Sequence, residues 1–234
     1  TLRGAFSAVS PPNSFYPVLH LVDNDDVLQF LERDDVVGLS SAGVATPDHV
    51  IRIKAHPLLL DRNDSGKGRT VLISKVEGYI KKYKNYFDLH SSSSKDSKKM
   101  LSPLPNLIWA QGIGLIGVGS SAKSAKIITD LAQQNIRVMA DGADAGGFKP
   151  VDAQNLFDME YWSLEQAKLG KSKPPVLQSR VVVITGGAGT IGRSIAHKFR
   201  LMGAEVVLVD KNRSALDIAL KDFDRGVLGF TADL

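Results

Sequence analysis

The residues best placed for chemistry lie near the end of the chain, in the segment Thr185-Gly-Gly-Ala-Gly-Thr-Ile-Gly192. Gly186 and Gly189 allow the backbone to turn sharply and to approach a phosphate, and Gly192 allows a helix to pack closely on a strand. The free amides at the start of a helix after such a turn attract an anion. This spacing is therefore typical of a turn that binds the pyrophosphate of a dinucleotide.

Two strands and one helix must position this turn. Residues 180–184 are rich in β-branched apolar residues, as a buried parallel strand requires. Apolar residues recur at helical spacing from Ile191 to Met202, and a second apolar run at 205–210 ends on an acid. This order predicts a βαβ unit that opens a doubly wound parallel sheet.

The acid at the end of the second strand is Asp210, 18 residues after Gly192. A carboxylate in this place accepts hydrogen bonds from the ribose hydroxyls of an adenosine and repels a 2′-phosphate, which favours NAD over NADP. Lys211 and Arg213 lie close enough in sequence to weaken that repulsion. The alternative is that Asp210 is only a solvated acid in a turn.

Composition excludes several classes of protein. The 234 residues contain no cysteine, which excludes disulfides, cysteine nucleophiles and thiolate zinc sites. No apolar run approaches the roughly 18 residues of a membrane span, and no signal pattern is present, so we expect a cytoplasmic protein without a membrane partner. Residues 61–105 hold ten Lys or Arg against five Asp or Glu. We interpret the polar run 91–99 as a solvated loop rather than a nucleic-acid site.

The first part of the chain has the pattern of a mixed α/β domain. Strands are predicted at Leu107–Ala110 and Leu115–Gly119, joined by a glycine turn. Helices are predicted at 25–31, from about 122 to 139, and at 156–169. The glycine-containing segment 141–147 is the predicted stop signal of the second of these helices. The tyrosines near residue 80 fit a helix face. The segment 170–175 has the composition of a linker.

The segment Ser40–Lys54 is a further candidate site, in which a loop of small residues leads into alternating apolar and basic residues. His49 and Arg52 are its polar candidates, because Thr46-Pro47 fixes a turn and Asp48 is placed to orient the imidazole. The alternative interpretation is a turn with a capping Asp and a surface His and Arg.

The glycine-rich segment resembles the nucleotide turn of the short-chain dehydrogenases, and Ala232-Asp-Leu234 is similar to the segment whose Asp contacts adenine in that family. The resemblance implies cofactor-binding roles for Thr185, Gly186, Gly187, Gly189, Thr190, Ile191, Gly192, Asp210, Asp233 and Leu234. Family members use a Tyr with a Lys four residues later for proton exchange. No tyrosine of this chain has a lysine at that spacing, so no catalytic residue is assigned.

The earlier motifs narrow the resemblance. Residues 46–52, 113–126 and 157–169, followed by the glycine turn, look like the middle of bifunctional aldolase/short-chain dehydrogenase proteins, similar to rhamnulose-1-phosphate aldolase/lactaldehyde dehydrogenase fusions. Class II aldolases of this kind hold zinc with three histidines, two of them in a His-x-His pair. This chain has no His-x-His, and Gln111-Gly-Ile-Gly114 stands where the third ligand is expected. We therefore predict no metal site here and expect zinc only in a part upstream of Thr1.

The resemblance implies that residues 1–170 are the C-terminal part of a class II aldolase-like α/β domain. Residues 171–175 are then a linker, and 176–234 are a truncated NAD-binding domain with the first βαβ unit of a Rossmann-type sheet. It further implies that the chain is an internal fragment of a bifunctional enzyme of sugar catabolism, such as rhamnose catabolism. The two implied reactions are aldol cleavage of a ketose 1-phosphate and NAD-dependent oxidoreduction of a small hydroxyaldehyde or alcohol. The expected partners are a small-molecule substrate and, as an open alternative, further copies in a homo-oligomer. The alternative function is a non-catalytic nucleotide-binding or interaction module.

Overall fold

The computed structural model describes residues 2–10, 16–64, 66–92, 98–167, 175–223 and 226–233. The chain divides into two compact units, one of residues 1–119 and 123–171 and the other of residues 120–122 and 172–234. Most of the predicted linker, 171–174, and the predicted site residue Leu234 lie outside the described residues. Within the described ranges, no helix combines the length and apolar character needed to cross a membrane.

The first unit is built on a mixed four-stranded sheet with the order β1-β4-β3-β2, formed by β1 Val18–Val22, β2 Leu58–Leu60, β3 Leu107–Ala110 and β4 Gly114–Gly119. The β3–β4 hairpin is the predicted pair of strands joined by a glycine turn. Gly112 in that turn has a φ of 71°, which glycine adopts without a steric penalty. Strand β1 adds antiparallel to β4, and β2 adds parallel to β3.

Helices cover both faces of this sheet. Successive β3 residues point to opposite faces: Leu107 and Trp109 belong to one buried cluster, and Ile108 and Ala110 to the other. The first cluster packs under the helices Asp25–Leu31, Val36–Ser40, Val50–Ile53 and Ala122–Asp144, and the second under the helices Leu2–Val9 and Arg69–Ser91. The helices span α1 Leu2–Val9, α2 Asp25–Leu31, α3 Val36–Ser40, α4 Val50–Ile53, α5 Arg69–Ser91, α6 Ala122–Asp144, α7 Ala153–Glu160 and α8 Ser163–Ala167.

Two helix predictions were wrong. Helix α6 continues past Met139 to Asp144, because its stop signal is the pair Gly146-Gly147, both with positive φ. The Gly147 N–H donates to the Gly142 carbonyl at 2.8 Å, the bond of a Schellman cap. The single helix predicted at 156–169 is instead α7 and α8, which are separated at Tyr161-Trp162. Residues 168 and 169 lie outside the described part of the chain.

A buried polar cluster lies between α5 and α7. Lys54, only 4% exposed, places its Nζ 3.5 Å from the centre of the Tyr83 ring and donates to the Ser102 carbonyl. The Tyr83 hydroxyl donates to Glu160 Oε1 at 2.6 Å and lies 2.8 Å from the Tyr161 hydroxyl. Burial lowers the pKa of Lys54 from 10.5 to about 7 and raises the pKa of Glu160. Lys54 also has a φ of 62°, an uncommon conformation for a side-chain-bearing residue.

The second unit contains a parallel sheet with the order β5-β6-β7, formed by β5 Val181–Thr185, β6 Glu205–Asp210 and β7 Val227–Thr231. The predicted strand–helix–strand order is confirmed, with α9 Thr190–Leu201 as the crossover helix. The expectation of a single βαβ unit was too short, because α10 Arg213–Leu220 and β7 add a second one. Asn212 caps α10 by accepting the Ala215 N–H at 3.0 Å.

The two faces of this parallel sheet differ. On one face, Ile184, Val206 and Leu208 are buried with residues of α9 and α10. On the other face, Val183 of β5 and Leu228 of β7 are 60% and 62% exposed. We call this second surface the open face; it also includes Val181 and Phe230, which are 43% and 57% exposed. The continuous apolar sequence of these strands is typical of a sheet covered on both faces, whereas only one face of this sheet is covered by helices.

Candidate nucleotide-binding site

The glycine turn leaves β5 at Thr185 and is fixed by backbone hydrogen bonds. Gly186 has a φ of 62°, so the chain reverses there without the penalty that a side chain imposes. The Gly187 N–H donates to the Val209 carbonyl of β6 at 3.0 Å, and the Gly189 N–H donates to the Gly186 carbonyl at 3.1 Å. The turn is therefore held to the neighbouring strand and to itself.

Two other glycines of the turn are required by close packing. A Cβ added at Gly187 would lie 2.8 Å from the Leu208 Cβ of β6, closer than such atoms approach. A Cβ at Gly192 would lie 2.4 Å from the Gly186 carbonyl oxygen. Sequence reasoning assigned Gly192 to helix–strand packing, but its closest neighbours belong to the turn, whereas Gly187 makes the closest approach to a strand.

Helix α9 directs the start of its backbone toward the space above this turn. Its first intrahelical bond joins the Arg193 N–H to the Gly189 carbonyl at 2.9 Å, so the three N–H groups before Arg193 have no acceptor within the helix. The capping residue, Gly189, is extended and has no side chain to satisfy them. Thr190 and Ile191 are exposed at this end, Ile191 by 77%. Free amides, the helix dipole and lack of a capping side chain fit an anion such as a pyrophosphate.

Asp210 is part of the turn as well as a neighbour of it. Its Oδ2 accepts the Ala188 N–H at 3.1 Å and its Oδ1 accepts the Asn212 N–H at 3.0 Å. These bonds, from Asn212 first and Ala188 second, lower the pKa of Asp210. Each oxygen keeps capacity for a further hydrogen bond, as two ribose hydroxyls require. The bond to Ala188 was missed by sequence reasoning, because no residue spacing encodes it.

The remaining predicted residues lie at the same edge of the sheet. Asp210 pairs with Thr231 in the parallel register, and the Ala232 N–H donates to the Asp210 carbonyl at 3.1 Å. Asp233 follows and is exposed. The carboxyl ends of β5, β6 and β7 thus bring the turn, Asp210 and Asp233 to one edge, where open α/β sheets bind ligands.

The candidates of the first unit are not brought into a comparable site. His49 lies in a short 3-10 helix, Pro47–His49, and its buried Nδ1 has no hydrogen-bond partner among the described residues. The Arg52 carbonyl, in α4, accepts from the Asn106 side chain at 2.8 Å. Gln111 donates to the Leu31 carbonyl at 3.0 Å and so supports the hairpin. Over the described ranges, no three His, Cys, Asp or Glu residues are grouped to hold a metal.

Comparison with known proteins assigns the two parts separately. Residues 1–169 match the family model described as aldolase class II, second domain, and residues 180–234 match the short chain dehydrogenase model. The uncharacterized oxidoreductase YuxG of Bacillus subtilis (strain 168) is 33% identical over 200 residues. The match covers 83% of this chain, which spans only 29% of the length of that relative.

Solved structures match only a short part of the chain. A short chain dehydrogenase from Bacillus anthracis is 32% identical over 23% of this chain and 24% of its own, with a TM-score of 0.22. The citronellol catabolism dehydrogenase AtuB of Pseudomonas aeruginosa PAO1 is 29% identical over 26% and 27%, with a TM-score of 0.24. A short chain dehydrogenase from Shigella flexneri 2a, complexed with NADP, is 29% identical over 26% and 28%, with a TM-score of 0.23.

Proposed function

Because this chain belongs to the aldolase class II, second domain family and continues into a short-chain dehydrogenase segment, we propose that it is part of a bifunctional enzyme of sugar metabolism. The whole protein cleaves a ketose 1-phosphate by an aldol reaction and oxidises or reduces the small hydroxyaldehyde or alcohol. The contribution of this chain to the redox step is to bind NAD. The observation that carries this proposal is the glycine turn, which leaves the first amides of α9 uncapped.

The residues of the turn have separate roles in this proposal. The amides before Arg193 bind the pyrophosphate, and the glycines at 186 and 189 keep side chains away from it. The Asp210 carboxylate accepts the ribose hydroxyls of the adenosine, and Asp233 lies at the same edge for the adenine. When bound, NAD supplies the hydride acceptor or donor. The protein residues bind and orient it.

Asp210 makes NAD the preferred cofactor. Its lowered pKa keeps the carboxylate ionised at neutral pH, so a 2′-phosphate would meet a negative charge. Lys211, exposed beside Asp210, reduces the discrimination without reversing it.

The chain contains neither Tyr-x-x-x-Lys nor His-x-His, so we propose that it performs neither reaction by itself. Zinc then belongs to a part of the protein upstream of this chain. The same observation favours one alternative, a non-catalytic nucleotide-binding or interaction module. Both functions need NAD binding by the turn, and they differ in whether a complete protein containing this chain oxidises a substrate.

The test is a titration of the chain with NADH, followed by the fluorescence of the nicotinamide. We expect Asp210→Ala to raise the Kd for NADH about ten-fold and to reduce the preference over NADPH, because charge-assisted hydrogen bonds are lost. Asp217→Ala is the matched control, since Asp217 is an exposed acid on α10 that pairs with Arg213 at 3.0 Å. Equal Kd values in the parent and both variants, or no binding by the parent, would contradict the proposal.

A further inference from the structure

The first unit contains a cavity of about 440 Å³ between α5, β2 and the end of α3. Its walls are mainly apolar and aromatic, with the rings of Tyr79, Tyr83 and Tyr86 along α5. A volume of this order matches the sites that hold small organic ligands. The Tyr79 hydroxyl donates to the His56 carbonyl at 3.0 Å, so this ring is fixed in place before any ligand binds.

A glycine in the middle of α5 keeps the cavity open. Gly78 lines it, and a Cβ built at this position would meet no atom within 4 Å. Glycine inside a helix is less favourable than alanine by about 1 kcal/mol. Neither the backbone conformation nor packing requires glycine here, in contrast to Gly192. We infer that glycine at position 78 keeps the volume of the cavity free of a side chain.

One side of the cavity carries a positive charge that the protein does not neutralise. Two lysines of α5 line it, Lys75 and Lys82. Lys75 is paired with Asp64 at 2.6 Å and lies 3.5 Å from Asp61. Among the described residues, no carboxylate lies within 4 Å of the exposed Lys82 ammonium. Lys82 is thus the cation available to a ligand.

His56 adds a polar group without a protein partner. It lines the cavity, and its Nδ1 is buried and makes no hydrogen bond with any described residue. Burial, and then the charge of Lys82, lower the pKa of His56, so the ring is neutral at neutral pH. Because the Nδ1 atom is buried, the ring contributes an uncharged wall to the cavity rather than a hydrogen bond to a ligand.

We propose that this cavity binds a small organic anion, with its acidic group at Lys82 and its apolar body against the three tyrosines and the neutral ring of His56. The ligand class is a carboxylate or a phosphate monoester that carries an apolar or aromatic body. The size of the cavity, the open space at Gly78 and the single unpaired cation among its described lining residues each point to this chemistry. The site is separate from the nucleotide turn, and it stands or fails independently of the proposed function.

The probes are benzoate, phenyl phosphate and the neutral benzyl alcohol, titrated into the full chain with ¹³C-labelled tyrosine rings and followed by NMR. All five tyrosines lie between residues 16 and 161, so the signals do not report anion binding at the glycine turn. We expect both anions to shift the signals of Tyr79, Tyr83 and Tyr86, with Tyr16 as the internal reference. The anion that binds more tightly identifies the acidic group as a carboxylate or a phosphate.

Two substitutions test the geometry. Gly78→Leu fills the cavity and should abolish the shifts while the unit stays folded, because leucine is a better helix former than glycine. Lys82→Ala should raise the Kd of the anions roughly five-fold, as expected for loss of an ion pair near the surface. Lys81→Ala, the neighbouring exposed lysine outside the cavity, should leave the Kd unchanged. Unaltered binding by a folded Gly78→Leu variant, equal affinity for benzyl alcohol, or no binding of either anion would overturn the proposal.

Discussion

Replacement of Gly192 by alanine should destabilise the second unit, although alanine is the better helix residue. The added Cβ would lie 2.4 Å from the Gly186 oxygen and 2.8 Å from the Gly187 Cα, both backbone atoms. An ordinary contact begins near 3.4 Å, so α9 and the turn must separate by 1.0 Å (3.4 minus 2.4). Overpacking of this kind costs about 1–3 kcal/mol, against a gain of up to about 1 kcal/mol from helix propensity. With the full gain from helix propensity, the net effect is a loss of up to about 2 kcal/mol.

The chain offers a matched control for this change. Gly78 is also a helix residue, but a Cβ added there would have no atom within 4 Å, so Gly78→Ala should stabilise the first unit by about 0.5–1 kcal/mol. The two units can be observed separately. Both tryptophans, Trp109 and Trp162, belong to the first unit, and residues 172–234 contain no Trp or Tyr. Tryptophan fluorescence therefore follows the first unit, and far-UV circular dichroism follows both.

We expect urea unfolding of Gly192→Ala to show an earlier transition by circular dichroism and an unchanged one by fluorescence. Gly78→Ala should show a later transition by fluorescence. The displacement of 1.0 Å also moves the amides of α9 by more than the roughly 0.5 Å within which binding groups must be held. The Kd for NADH should therefore rise at least about ten-fold. If Gly192→Ala instead stabilised the second unit and bound NADH normally, the steric reasoning about the turn would be refuted.

Three further outcomes are expected. Because burial lowers the pKa of Lys54 to about 7, the folded state binds fewer protons than the unfolded state from there up to pH 10.5, and stability rises with pH across that window. In Lys54→Met, the free energy of unfolding measured by fluorescence should rise less steeply with pH, by up to about 1.4 kcal/mol per pH unit. A pH dependence equal to that of the parent would contradict this expectation. Val183→Lys should reduce binding of an apolar dye to the open face without changing the circular dichroism spectrum, whereas Val206→Lys, at a buried position, should unfold the unit. The chain should reduce no NAD in the presence of alcohols, and measurable turnover would show that proton exchange does not need the missing Tyr–Lys pair.

The sequence was sufficient to place the elements whose pattern is local. The strand at 181–185, the glycine turn and α9 follow from β-branched residues, glycine spacing and helical periodicity, all of which act within a few residues. The same holds for the β3–β4 hairpin. Helix ends were less predictable, because Gly142 is compatible with a helix and only the positive φ of Gly146 and Gly147 stops α6. Strand β7 was not predicted, because it has only five residues and Gly229 in its middle weakens the local strand pattern.

The features that depend on tertiary contacts were not predictable. Asp210 is separated from Ala188 by 22 residues, and their hydrogen bond exists only because β6 lies beside β5. The cavity at Gly78 and the cluster of Lys54 with Glu160 likewise join segments that are far apart in the chain. Sequence reasoning therefore identified the residues of the turn but could not assign Gly187 and Asp210 their structural roles.

The hydrogen bond from Ala188 to Asp210 has a consequence for how cofactor preference can change. A protein that adapts to a 2′-phosphate must remove the carboxylate, and the same substitution removes the acceptor that holds the turn at Ala188. Mutations at position 210 are thus epistatic with the turn: a neutral or basic residue there needs a second change that satisfies the Ala188 N–H. Engineering or evolution of NADP use in this chain should proceed through paired substitutions, and single ones at Asp210 should lower affinity for both cofactors.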